Sequence, residues 1–155
     1  MKTYNVDVPY SRVFRGKEKA YTDMYGNWGD SFVKIDDFKE DLRNRNAGSV
    51  IEIDFATNGE KKQFQRIFIS LAACFKGFLV GCRPYIGLDA CHLKGKFNGV
   101  LVAATSIDDN NGMFPVAYAV LESENTNSWT WFLESLKKLL VHQLVLLFLQ
   151  TCRKG

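Results

Sequence analysis

The stretch GLDACHLKG, Gly87 to Gly95, sets an aspartate, a cysteine and a histidine within four residues. A metal centre, a thiol nucleophile and a carboxylate site are the chemistries these types could serve. Zinc fits poorly. Cys91 and His92 are adjacent, so on a continuing strand their side chains point to opposite faces. Cys74 and Cys82 could join them only through folding, and neither CxxC nor HxxxH spacing occurs anywhere. A buried thiol beside a hydrogen-bonded imidazole is the plainer reading. Catalytic Cys–His pairs meet in space rather than along the chain, and the other histidine, His142, lies in an apolar segment. The carboxylate is more promising. Asp89 reads as the end of a buried strand, where an unpaired charge is costly unless it binds something. Asp108, Asp109, Glu122 and Glu124 are the acids that could converge on it. Two-metal phosphodiester chemistry needs several carboxylates holding cations about 3.5–4 Å apart. Against that, Asp108 and Asp109 open a DDNNG turn and are expected to face solvent. Glu122 and Glu124 precede a helix, whose positive end favours acids. GKFNG lacks the Walker spacing of a phosphate loop. Lys94 and Lys96 could approach a nucleic-acid backbone or simply be solvated.

The elements that must position these residues can be read from periodicity. Residues 11–25 are weakly helical and stop at Gly26. Residues 31–45 form a better helix, with Phe32, Ile35, Phe38 and Leu42 on one stripe and Asp30 or Ser31 as cap. Gly48 suits a left-handed turn after it. SVIEIDFAT (49–57) alternates as a half-buried strand and is stopped by Asn58-Gly59. Residues 61–76 place Phe64, Ile67, Phe68, Leu71 and Phe75 at helical spacing, which predicts a core-facing helix. GVLVAATSI (99–107) and FPVAYAVL (114–121) are continuous apolar runs joined by a turn at 108–112, and such runs predict strands covered on both faces. Pro115 suits only the first residues of its strand. A helix follows, capped by Thr126 or Asn127, with Trp129, Phe132, Leu133, Leu136 and Leu140 inward and Lys137 and Lys138 in its last turn. The class is α/β or α+β, with an antiparallel hairpin beside the Asp89 strand.

The 155 residues suit one compact domain or a piece of a larger protein. A net charge of +3, without a dense basic block, permits a polyanionic partner but does not demand one. Cys74, Cys82, Cys91 and Cys152 read as free thiols, and no signal pattern precedes them. The apolar run Leu144–Leu149 is far below the roughly 20 residues that cross a bilayer, so no membrane role is expected.

Several segments in order (LDACHLKGKFNG, VLVAATSIDDNNG, FPVAYAVLESE and NSWTWFL) closely resemble plant Mutator-like element (MULE) transposases. The region before them is also similar, although the family usually has proline where Ala47 stands, so the resemblance spans roughly residues 12–140. It implies an RNase H-like fold that cuts and joins DNA with a DDE carboxylate triad and Mg²⁺. Asp89 then matches the first Asp of the triad and is its implied metal ligand. Cys91 and His92 fall at spacer positions with no ligand role, and Glu124 matches a recurrent motif position without an assigned one. The implied organisation is a mainly helical pre-core region (1–82), the N-terminal part of the core (83–140) with three antiparallel strands and a helix, and an aberrant tail (141–155).

The departure from the pattern matters equally. Family members continue into a fourth strand ending in a serine-aspartate pair, with the glutamate much later, whereas here the chain reads VHQLVLLFLQTCRKG. One choice of codons for QTCRKG, read in a shifted frame, encodes Ser-Asp-Met-Gln-Lys-Gly. The expectation is a frameshift or mis-spliced reading between about Leu140 and Gln150, checkable on the transcript. A truncated core is expected to be inactive alone, with weak Mg²⁺ binding at Asp89. Its Asp89 strand is expected to leave an open sheet edge that invites self-association. LVLLFL would either extend the last helix or patch that edge as a strand. Partners implied by the resemblance are DNA terminal inverted repeats, in the nucleus. The competing reading is a domesticated, non-catalytic DNA-binding or transcription-related protein of the far-red-impaired-response type.

Overall fold

A computed structural model of the chain describes residues 7–26, 32–58, 61–94 and 97–152, the segment 142–152 as backbone only. It divides into two compact units, Met1–Glu40 and Asp41–Gly155. In the first unit, α1 (Tyr10–Tyr25) begins after Pro9 and ends at Gly26, whose φ of 80° is the left-handed geometry a glycine tolerates. It buries no residue. Tyr10 stacks on Phe14, and Lys17 lies over Tyr21, while these aromatic side chains stay half or more exposed. The helix α2 (Ile35–Arg45) bridges the division, with Asp36 and Asp37 at its start and Arg43 and Arg45 at its end, the order its dipole favours. Phe38 of the expected stripe is half exposed, while Ile35 and Leu42 are partly covered. The proposed caps Asp30 and Ser31 lie outside the described residues. Gly48 takes the expected left-handed turn at φ 88°.

The second unit is built on a five-stranded antiparallel sheet in the order β1-β2-β5-β4-β3. The strands are β1 (Val50–Asn58), β2 (Lys61–Ser70), β3 (Gly87–His92), β4 (Val100–Ile107) and β5 (Met113–Leu121). The helix expected over 61–76 is corrected: 61–70 is a strand and only α3 (Ala72–Gly81) is helical. Isolated helical spacing lost to pairing, because β2 finds β1 on one side and β5 on the other, with Phe68 opposite Glu52 and Ala119. The α+β class stands, with the β1–β2 hairpin added to the sheet beyond β5. Pro115 sits opposite the register shift at Ala104/Thr105, a place where a ladder tolerates a missing N–H.

Burial along β4 alternates strictly, so the expectation of two covered faces is also corrected. Val100, Val102 and Ala104 join Phe68, Ala117, Ala119 and Leu121 in the core, together with Phe75 and Phe78 of α3 and Phe132, Leu136 and Leu139 of α4 (Thr126–Cys152). Both helices thus build on one face. Leu101, Ala103 and Thr105 on the other face are only half buried. In α4, Leu139 replaces Leu133 in the stripe, Leu133 being 46% exposed. The cap is Asn125, whose Oδ1 accepts the Ser128 N–H at 2.9 Å, rather than Thr126 or Asn127. The backbone of 144–149 continues α4, so this segment is helix and not an edge strand, and Lys137 and Lys138 lie mid-helix.

Candidate functional site

Asp89 is the third residue of β3, paired with Ala103, and it is exposed. It neither ends its strand nor lies buried, as its sequence context had implied. The reason is position in the sheet. β3 pairs with β4 alone, and among the described residues no strand lies along its other edge. Ala90 shares the face of Val102 and packs on the core. By strand alternation Asp89 and Cys91 point to the opposite, half-open face. Asp89 Oδ1 accepts the N–H of Ala90 at 2.9 Å.

Cys91 and His92 are both exposed, which corrects the reading of Cys91 as a buried thiol. His92 Nε2 lies 3.6 Å from Glu124 Oε2, an exposed pair worth little to stability. Glu124 is therefore drawn to the core-side face of β3, away from the face that carries Asp89. Asp108 organises its turn as expected: Oδ1 accepts the N–H groups of Asn110 at 2.9 Å and Gly112 at 2.7 Å. Arg83 braces that turn, its guanidinium donating to Asn111 Oδ1 at 2.6 Å. Cys82 sits beside this turn, and burial, then the Asp108 charge, push its thiol pKa up while a hydrogen bond with Ser106 opposes them. Lys94 is exposed, and Lys96 lies outside the described residues.

Glu122 has a different job. Its Oε1 accepts from Ser128 Oγ at 2.9 Å and from Gln65 Nε2 at 3.2 Å, and lies 3.8 Å from the Arg66 guanidinium. Arg66, only 7% exposed, donates twice to Asp54 Oδ2, at 3.0 and 2.7 Å, and stacks over Trp131 at 4.9 Å. This network links β1, β2, the end of β5 and the start of α4. Sequence reading missed Arg66 and Gln65 because it placed them on a helix. The signal was Asn58-Gly59 between two β-rich runs, which is a hairpin cue as well as a stop.

No group of three or more His, Cys, Asp and Glu side chains that could hold a metal occurs among the described residues. Asp89 offers one reachable carboxylate. The described residues therefore do not fit a two-metal cage, which needs several. No described helix is long and apolar enough to cross a membrane.

Residues 85–146 match the family model of the MULE transposase domain. No curated protein and no solved structure matches the chain. The matched range begins two residues before β3 and runs through β4 and β5 into α4 as far as residue 146, so it includes Asp89, the DDNNG turn, Glu122 and Glu124. It is through these residues that the chain is similar to the MULE transposase family.

Proposed function

We propose that this chain is the N-terminal part of a plant MULE-type DDE transposase core with an RNase H-like plan, and that Asp89 is its first metal-holding carboxylate. The observation that carries this reading is the coincidence of the family match with an exposed Asp89 on an edge strand, where a cation can reach the carboxylate. The substrate of such a core is DNA, at terminal inverted repeats, in the nucleus. In a complete site Mg²⁺ would activate the attacking oxygen and stabilise the leaving one. One carboxylate gives only loose Mg²⁺ binding, so no cleavage step is assigned to this chain, and it is inactive alone.

The test has two arms. Mg²⁺ titration followed by amide NMR shifts should move Asp89 and Ala90 with half-saturation at about 1 mM or weaker, and Asp89→Asn should abolish that response. Supercoiled terminal-repeat DNA should remain uncut. Absence of a local Mg²⁺ response removes Asp89 as a ligand. Nicking that requires Mg²⁺ and disappears in Asp89→Asn overturns the inactivity. Salt-dependent binding to terminal-repeat DNA, compared with random duplex, tests the substrate class.

A further inference from the structure

Among the described residues, the side-chain-bearing positions with a left-handed backbone are Asn98, at φ 47°, and Asn111, at φ 63°. Asparagine enters that region more readily than most residues. Each precedes a glycine, and so does Asn58, whose Gly59 lies outside the described residues. An Asn-Gly pair carries a reaction of its own. The glycine nitrogen attacks the asparagine Cγ, and the missing Cβ leaves the approach open. The new N–Cγ bond closes a succinimide ring. The side-chain nitrogen departs as ammonia, taking up the proton that the backbone N–H gives away. Water then opens the ring at either carbonyl, leaving aspartate or isoaspartate. The reaction consumes water and needs no oxidant or reductant.

The two pairs differ at both reacting groups. At Asn111–Gly112 both are held. The Gly112 N–H donates to Asp108 Oδ1 at 2.7 Å, and the Arg83 guanidinium donates to Asn111 Oδ1 at 2.6 Å. Ring closure there must give up the Gly112 bond and pull the amide from its place. At Asn98–Gly99 neither is held. Asn98 is exposed, and its side chain has no hydrogen-bond partner among the described residues. The Gly99 carbonyl accepts the Leu93 N–H at 2.8 Å, but no acceptor for Gly99's own N–H is found among the described residues. Gly99 is buried, and a buried N–H without a partner is in a costly state. Packing also fixes the reactive sequence, because a Cβ at Gly99 would overlap the Leu121 carbonyl oxygen.

We propose that Asn98 is a site of spontaneous deamidation in the folded protein, and that the DDNNG turn protects Asn111. The product places a new carboxylate in the connection between β3 and β4, the segment that carries Lys94, and lowers the net charge of +3 by one. Isoaspartate also adds a methylene to the main chain, directly before the Leu93–Gly99 bond that leads into the β3–β4 ladder.

The full chain is incubated in mildly alkaline buffer, sampled over days and read by peptide mapping with mass detection. Asn98 should convert to the acid forms about tenfold faster than Asn111, whose hydrogen bonds raise its barrier. In urea the two rates should approach one another. Asp108→Ala, which frees the Gly112 N–H, should speed conversion at Asn111 and leave Asn98 unchanged. Asn98→Gln should remove the fast site, since the longer side chain closes a larger ring slowly. Asn111 reacting as fast as Asn98 in the folded chain, an Asn98 that reacts only in urea, or an Asn111 rate unmoved by Asp108→Ala would each overturn the proposal.

Discussion

At the scale of single residues, the group with the strongest structural claim is one that the motif reading passed over. Arg66 is buried, held by Asp54, set against Glu122 and covered by Trp131. Truncating Arg66 removes its packing over Trp131 and leaves both Asp54 and Glu122 without their cation, whereas truncating Asp54 leaves Arg66 beside Glu122. Arg66→Ala is expected to cost about 3 kcal/mol in urea denaturation, and Asp54→Ala, whose side chain is 39% exposed, about 1 kcal/mol. Equal effects would show that Arg66 acts only through Asp54. The thiols give a second contrast. Cys91 is exposed, whereas Cys82 is held up by burial and Asp108. Peptide mapping after brief alkylation near pH 8 should find Cys91 modified well before Cys82, with the difference erased in urea. The linkage has a definite sign. A thiol raised in the folded state costs nothing while both states are protonated. Its contribution to stability should be intact below the ordinary value of 9.0 and decline as pH rises past it, a decline absent in Cys82→Ala.

At the scale of elements, β4 shows what pairing adds to pattern. Its residues 99–107 read as a strand from sequence, and they are one, but the run gives no hint of which neighbours it takes. Gly99 shows the closeness of that packing. A Cβ added there would overlap the Leu121 carbonyl oxygen and the Phe97 ring, and a backbone oxygen cannot swing aside. Gly99→Ala should therefore cost about 2–3 kcal/mol by thermal or urea unfolding. Gly81→Ala, with open space around its position, should change stability little. The cap of α4 was misplaced by a residue or two because Asn125, Thr126 and Asn127 are all good caps in isolation. Asn125 prevails because Ser128, its hydrogen-bond partner, is also fixed by Glu122 at the end of β5. The β2 segment failed for the converse reason: its apolar spacing admitted a helix, and only the hairpin with β1 decides against it.

At the scale of the whole molecule, the division into two units carries a prediction. The core cluster draws only on residues after Val50, and α1 buries nothing. A fragment beginning at residue 32 should unfold cooperatively with a stability within about 0.5 kcal/mol of the full chain, since surface segments without buried contacts contribute little. A larger loss would mean that the first unit supports the sheet. The excised α1, at 16 residues, should be largely unfolded by circular dichroism, because helices of that length are marginal in water.

Sequence alone was enough for the local grammar of this protein: the β4–β5 hairpin through its DDNNG turn, the amphipathic start of α4, and the left-handed turn at Gly48. Those features rest on interactions between neighbours in the chain. Tertiary structure alone decided that β2 is a strand, that among the described residues one sheet face is buried and the other half buried, and that Asp89 is exposed on an edge. It also turned Glu122 inward to Arg66 and Glu124 outward to His92, although both belong to the same ESE triplet. The physical reason is that burial, and the pairing of a buried charge, depend on which distant segments arrive alongside, and local periodicity records only that a residue has faces, not what will lie against them.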